Sequence, residues 1–219
     1  MMPINAVLFD LDGTLLDTAK DLGMALNQLL RAHHLPLIPF EVIRPAAGSG
    51  CQGLLKLGMN MEPHDEHYSA FCEQLLNLYQ YHLTDTTQLF PGMENTLTFL
   101  EKNGIPWGIV TNKPAKYTDQ LITYLQLDKR AACIISGDSL PNRKPHPEPI
   151  LHACRLLQQA PKHCLYIGDS AIDIQACKAA GSPSLAALYG YIPSGENPRI
   201  WGADGYIEHA SEIIRWIEC

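Results

Sequence analysis

Two aspartates stand two residues apart in Phe9-Asp10-Leu11-Asp12-Gly13-Thr14, and two more stand four apart in Gly168-Asp169-Ser170-Ala171-Ile172-Asp173. A spacing of two puts both carboxylates on one side of an extended chain, and a spacing of four brings the second back one helical turn later. Carboxylates held that close repel one another. They are tolerated when a cation lies between them or when one keeps a proton, and both conditions serve phosphoryl transfer. An isolated D-x-D is well explained as a polar turn and a single Asp at a helix start as a cap, whereas four at one place call for a cation. Neither motif contains His or Cys, which favours an oxygen-seeking dication, Mg2+, over zinc. Two further stretches offer partners for a phosphate. Thr111-Asn112-Lys113 supplies a hydroxyl and backbone N–H groups, and Lys144 lies in Lys144-Pro145-His146-Pro147-Glu148-Pro149, where proline stiffens the approach to a helix start.

These residues need a scaffold that brings them together. Ile4-Asn5-Ala6-Val7-Leu8-Phe9 is a short apolar run that stops at acidic residues, as a buried parallel strand does. Similar runs are Trp107-Gly108-Ile109-Val110 before Thr111, Ala132-Cys133-Ile134-Ile135 before Ser136, and Cys164-Leu165-Tyr166-Ile167 before Gly168. Between them lie helical spacings: Met93, Leu97, Leu100; Leu121, Tyr124, Leu125; Ile150, Leu151, Cys154, Leu157; and Ile172, Ala176, Ala179, Ala180. Strand alternating with helix predicts an α/β fold with a Rossmann-like parallel sheet. Ligands of such sheets bind outside the carboxyl ends of the strands, where the polar residues above fall.

Residues 16–85 break this rhythm. Leu22, Ala25, Leu26, Leu29 and Leu30 give one amphipathic helix, and Phe71, Leu75, Leu78 and His82 another. The expected division is a catalytic core of residues 1–15 and 86–219, with a small all-α cap of residues 16–85 hanging over the carboxyl edge of the sheet. Within the cap, Gly48-Ser49-Gly50-Cys51-Gln52-Gly53 matches G-x-G-x-x-G. A dinucleotide fingerprint needs a strand before it, and residues 41–47, which include Pro45, belong to the helical insertion. That leaves a helix-to-helix turn, or a ligand-facing loop in which Gly48 and Gly50 let the backbone approach and Arg44 offers a fork for a carboxylate.

The formal net charge of -7, with no block of Lys or Arg, argues against a nucleic-acid partner. At 46% hydrophobic and 18% charged residues the composition is that of a globular protein, and no apolar run reaches membrane-spanning length. A cytoplasmic location and no membrane partner are expected, and either a monomer or a homodimer. The seven cysteines are odd in number and lack a C-x-x-C pair, so they are read as reduced thiols packed in the core. His64 and His67 are read as a solvated helix start, and Trp107, Trp201 and Trp216 as packing residues. Tyr189 and Tyr191 are likewise assigned to packing rather than to the cleft.

DLDGT, the Thr-Asn after a strand, K-P-x-P-x-P and GDSAID, in this order, resemble the haloacid dehalogenase superfamily over the whole chain, and within it the phosphoglycolate phosphatase group. The resemblance implies Asp10 as nucleophile, Asp12 as general acid and base, Thr111 as a phosphate ligand and Lys144 as the balancing cation. It further implies Mg2+ held by Asp10, Asp169 and the backbone carbonyl of Asp12, with Asp173 and Thr14 supporting that site; the reading of the residues themselves adds Asn112, Arg44, Gly48 and Gly50 on the substrate. Asp12 sets the chain apart from the dehalogenases of this fold, which lack that second aspartate. The implied partner is a small phosphate ester carrying a carboxylate, phosphoglycolate in type. The stretch Tyr189-Gly190-Tyr191-Ile192, followed by Asn197-Pro198 and Trp201-Gly202-Ala203-Asp204, also resembles the branch acting on N-acetylmuramic acid 6-phosphate. A sugar phosphomutase and a non-catalytic binding protein of the same fold are the remaining alternatives.

Overall fold

The computed structural model describes residues 3–217. Its first strand, β1 (Ala6–Phe9), is four buried apolar residues, and it ends where Asp10 begins. A two-residue strand, β2 (Leu16–Asp17), leads into four helices: α1 (Ala19–Ala32), α2 (Phe40–Ala47), α3 (Gly50–Met59) and α4 (Tyr68–His82). The chain returns through β3 (Gln88–Leu89), which pairs antiparallel with β2. From there helix and strand alternate: α5 (Met93–Lys102), β4 (Trp107–Val110), α6 (Ala115–Tyr124), β5 (Cys133–Ile135), α7 (Glu148–Leu156), β6 (Cys164–Gly168), α8 (Ala171–Ala180), β7 (Ser184–Ala187), β8 (Gly205–Ile207) and α9 (Ile213–Ile217).

Six strands form a parallel sheet in the order β5-β4-β1-β6-β7-β8. The chain moves outward from β1 through β4 to β5, then crosses back to β6 on the other side, so the order reverses at β1. The carboxyl ends of β4, β1 and β6 therefore open on one crevice. Alternate residues of β1 enter different cores, as the period of a strand requires. Ala6 and Leu8 pack with Cys154, Tyr166 and Cys177, whereas Val7 and Phe9 belong to a larger cluster that continues into the insertion through Leu22, Leu26, Leu55 and Leu75.

The four expected strands correspond to β1, β4, β5 and β6. Four others are not legible. β7 reads Ser-Leu-Ala-Ala, where small residues carry little strand signal, and β2, β3 and β8 span only two or three residues. Most of GSGCQG is helical: Gly48 and Ser49 turn between α2 and α3, and the rest forms the first turn of α3. The cysteine expectation is corrected at one pair, because Cys51 of α3 and Cys72 of α4 form a disulfide, their Cα atoms 5.8 Å apart. Packing of two helices made that pairing, and a separation of 21 residues does not announce it. Cys133, Cys154, Cys164 and Cys177 are buried free thiols, while Cys219 lies outside the described residues. Among the described residues no helix is long and apolar enough to cross a membrane.

Asp21 brackets the root of the insertion. Fully buried in the first turn of α1, it accepts hydrogen bonds from the backbone N–H and hydroxyl of both Thr86 and Thr87, which precede β3. Entry and exit of the four helices are thereby tied by one carboxylate. Asp21→Ala leaves those donors without their acceptor and should lower unfolding stability by about 3 kcal/mol, the scale of lost charge-assisted hydrogen bonds. Urea denaturation measures it, and a change within error would deny the bracket.

Candidate active site

Asp10 follows β1, Thr111 follows β4 and Asp169 follows β6, so three adjacent strands deliver three of the expected residues to the crevice. Lys144 comes from the segment before α7. Its ammonium is all but buried and donates to Asp10 Oδ1 at 2.8 Å, Asp173 Oδ1 at 2.6 Å and the Tyr166 hydroxyl at 2.7 Å. Burial alone would depress this lysine, but Asp10 and Asp173 outweigh it and hold it firmly protonated. Tyr166 in turn donates to the Val110 carbonyl at 2.8 Å. Asn112 fixes the same lysine by its backbone, donating to the Lys144 carbonyl at 2.9 Å and accepting from the Lys144 N–H at 3.0 Å.

Among the described residues, Asp10, Asp169 and Asp173 bring carboxylate oxygens within 4.8 Å of one another. Burial pushes Asp10 up to about 6, with Asp173 adding to it and Lys144 opposing. Burial and the neighbouring Asp10 and Asp173 raise Asp169 well above the usual carboxylate range. Such crowding is what a dication relieves, and the all-oxygen donor set suits a hard one. Asp173 is the least available of the three. Its Oδ1 is on Lys144, and its Oδ2 accepts from the Ser170 N–H and hydroxyl in a capping box at the start of α8. Asp169 accepts from the Tyr191 N–H at 2.7 Å and from the Thr14 hydroxyl at 3.4 Å. A Cβ on Gly190 would overlap the Asp169 side chain, so only glycine lets that loop pass.

Asp12 lies outside this cluster, held from the other side. Lys113 donates to its two oxygens at 2.9 and 3.1 Å, and the Thr18 hydroxyl to Oδ1 at 2.6 Å. Lys113 also donates to the hydroxyl of Tyr79, on α4, at 2.9 Å and stands 4.6 Å from the centre of its ring. The motif Thr-Asn-Lys contains Lys113, yet the sequence assigns it no role, and nothing in the spacing of α4 singles out Tyr79.

Arg44, Gly48 and Gly50 do not join the carboxylates. The two terminal nitrogens of Arg44 donate to the carbonyls of Tyr189 at 2.7 Å and Gly190 at 3.0 Å, and its guanidinium lies 5.2 Å from the Tyr191 ring centre. These contacts tie the insertion to the loop after β7 and lend no support to a carboxylate fork. Gly50 faces open space. Tyr191, expected only to pack, is fully buried and polar in its contacts: its hydroxyl accepts from the N–H groups of Thr18 and Ala19 and donates to Asp17 Oδ1.

A crevice at a reversal of strand order, two aspartates after its central strand, a buried lysine and a second acidic pair define a class. The chain belongs to the haloacid dehalogenase-like hydrolase family, whose model matches residues 7–187. It is 36% identical over 217 residues to the N-acetylmuramic acid 6-phosphate phosphatase of Pseudomonas putida, with 99% of this chain and 97% of that protein covered. To the phosphoglycolate phosphatase of Xanthomonas campestris it is 39% identical over 208 residues, 95% of this chain and 94% of that one. The crystal structure of a predicted phosphoglycolate phosphatase from Haemophilus somnus matches with a TM-score of 0.86 at 28% identity, covering 99% of each chain.

The raised Asp10 sets a pH dependence. Between about 4 and 6 the unfolded chain has lost this proton while the folded chain keeps it, so stability is greatest below that window and falls as pH rises through it. In chelator, the Asp10 contribution should make the protein melt lower at pH 7 than at pH 5, and Asp10→Asn should narrow the gap. An unchanged gap in the variant would show that Asp10 is not held protonated.

Proposed function

We propose that the protein is a Mg2+-dependent phosphomonoester hydrolase working through an aspartyl phosphate on Asp10, with a small carboxylated ester of the phosphoglycolate type as substrate. The observation that carries this is the separate pairing of the two aspartates: Asp10 with Lys144 and Asp12 with Lys113. Asp10 keeps 13% of its side-chain surface exposed, which leaves the nucleophile approachable. Its attack on phosphorus expels an alkoxide, and Asp12 supplies the proton that the leaving oxygen needs. The mixed anhydride on Asp10 is then opened by water, whose proton passes to Asp12. Asp12 is thereby restored to the protonated form that the next leaving oxygen requires, and its pairing with Lys113 fits the carboxylate that stands between the two transfers. Lys144 and the Thr111 hydroxyl face the charge of the transferring group, while the Thr111 N–H stays in the sheet on the Ile135 carbonyl. Asp10, Asp169 and the backbone carbonyl of Asp12 would hold Mg2+, which when bound adds positive charge against the same phosphoryl oxygens.

Residues 16–85 serve in this scheme as a cap over the crevice. The likeness to the Pseudomonas putida phosphatase, across 99% of this chain, keeps N-acetylmuramic acid 6-phosphate as a second substrate. Both compounds carry a carboxylate, so charge does not separate them and size does.

Asp10→Asn should abolish hydrolysis of p-nitrophenyl phosphate at saturating Mg2+, and Asp12→Asn should lower kcat by roughly 10²- to 10⁴-fold. A near-normal rate in either variant would remove the mechanism. Chelation should silence the enzyme and Mg2+ restore it, with Ca2+ a poor substitute because its looser shell misplaces the nucleophile; full turnover after metal stripping would refute the metal role. The ratio of kcat/KM for phosphoglycolate and N-acetylmuramic acid 6-phosphate in one buffer assigns the substrate, and preference for the sugar phosphate would reverse the first choice.

A further inference from the structure

The loop of residues 189–191 touches the carboxylate cluster, the root of the insertion and α2 at once. Tyr191 is the residue where these contacts meet. Its backbone N–H donates to Asp169 Oδ2 at 2.7 Å. Its hydroxyl, at the other end of the ring, accepts from the Thr18 N–H at 2.6 Å and the Ala19 N–H at 2.9 Å, and donates to Asp17 Oδ1 at 2.7 Å. A phenol has one proton to give and two lone pairs to offer, so all three are spent.

The first N–H groups of a helix have no partner within it, and a Thr at the cap position usually satisfies one with its own hydroxyl. Thr18 occupies the cap position of α1 and makes no such bond. Its hydroxyl is turned to Asp12 instead. The Tyr191 hydroxyl, from a distant part of the chain, satisfies the N–H groups of the cap residue Thr18 and of Ala19, the first residue of α1, while the Thr18 side chain holds Asp12. Helix α2 seats on the same loop. Arg44 bonds the carbonyls of Tyr189 and Gly190 and lies over the Tyr191 ring. A Cβ on Gly48 would stand only 3.0 Å from the Tyr191 carbonyl oxygen. This gives the first glycine of GSGCQG a reason: it lets the turn after α2 close on the loop.

We propose that Tyr191 is the positioning residue that couples the seating of the helical insertion to the orientation of Asp169. Its hydroxyl is anchored in the insertion's first turn, and its N–H, on the same residue, aims the carboxylate. A shift of α1 or α2 away from the sheet therefore pulls on the group that orients Asp169. The proposal rests on the reading of Asp169 as a Mg2+ ligand, and groups that orient a ligand typically contribute 10- to 100-fold to metal affinity.

The test is calorimetric titration of Mg2+ into the metal-free wild type, Tyr191→Phe and Gly48→Ala. Tyr191→Phe keeps the ring and removes only the anchoring hydroxyl. Gly48→Ala keeps Tyr191 and adds a methyl group between the insertion and its carbonyl, at a helical φ that alanine accepts. Both should bind Mg2+ about tenfold or more weakly than the wild type. In turnover of p-nitrophenyl phosphate, the expected signature is a kcat at fixed low Mg2+ that recovers toward wild type as Mg2+ is raised, with KM for the ester little changed. Wild-type affinity in either variant overturns the coupling. Should Tyr191→Phe fail to fold, Gly48→Ala decides by the same criterion. Failure of the wild type itself to bind Mg2+ would overturn the proposed function as well. A wild type that binds Mg2+ but hydrolyses no phosphate ester would overturn that function alone.

Discussion

The Lys144 ammonium is almost wholly removed from water, held by Asp10, Asp173 and the Tyr166 hydroxyl. Burying a lone ammonium costs several kcal/mol, and burying carboxylates close together costs as much again. Each is tolerable only because of the other, so the crowding of acids at this edge of the sheet depends on the lysine being present and aimed. Its placement is correspondingly overdetermined: Asn112 clamps its backbone, Tyr166 is held by the Val110 carbonyl, and Asp173 is fixed by the capping box of α8. Residues from four elements converge to hold one nitrogen.

A second buried lysine does for Asp12 what Lys144 does for Asp10. Asp10 and Asp12 are two residues apart, and like charges at that spacing would repel in a dry crevice. Each has its own cation, approaching from a different direction: Lys144 from the segment before α7 and Lys113 from the turn after β4. The division keeps two chemically identical side chains in different surroundings, which is how two carboxylates can take different parts in one reaction.

Much of this was legible in the sequence because it is local. Strands β1, β4 and β6 announce their carboxyl ends by apolar runs that stop at Asp10, Thr111 and Gly168, and the parallel sheet then implies convergence. What escaped depends on contacts between distant segments. Tyr79 reaches Lys113 across 34 residues, Asp21 reaches Thr86 across 65, and Tyr191 reaches Thr18 across 173. The sequence offers Arg44 as a fork for a carboxylate and does not reveal its bonds to the carbonyls of residues 189 and 190. The aromatic character of Tyr191 suggests packing alone, although a buried phenol needs partners, and only the fold supplies them. Strand β7 failed for the opposite reason, since its Ser-Leu-Ala-Ala is chosen for close packing and has no pattern to read.

The paired strands β2 and β3 set Leu16 opposite Leu89 and Asp17 opposite Gln88. The chain thus departs from the sheet and comes back at neighbouring points, as at the two ends of a hairpin turn, while the segment between them shares the larger core and reaches Lys113 and the loop of residues 189–191. The entropy of closing such an excursion grows only with the logarithm of its length, so its size is nearly independent of the stability of the sheet. A lineage could lengthen or exchange those parts of the insertion that touch neither the loop of residues 189–191 nor Lys113 while Asp10, Lys144 and Asp169 kept their places. Selectivity for the organic portion of a substrate and the reaction at its phosphorus are in that sense separately heritable.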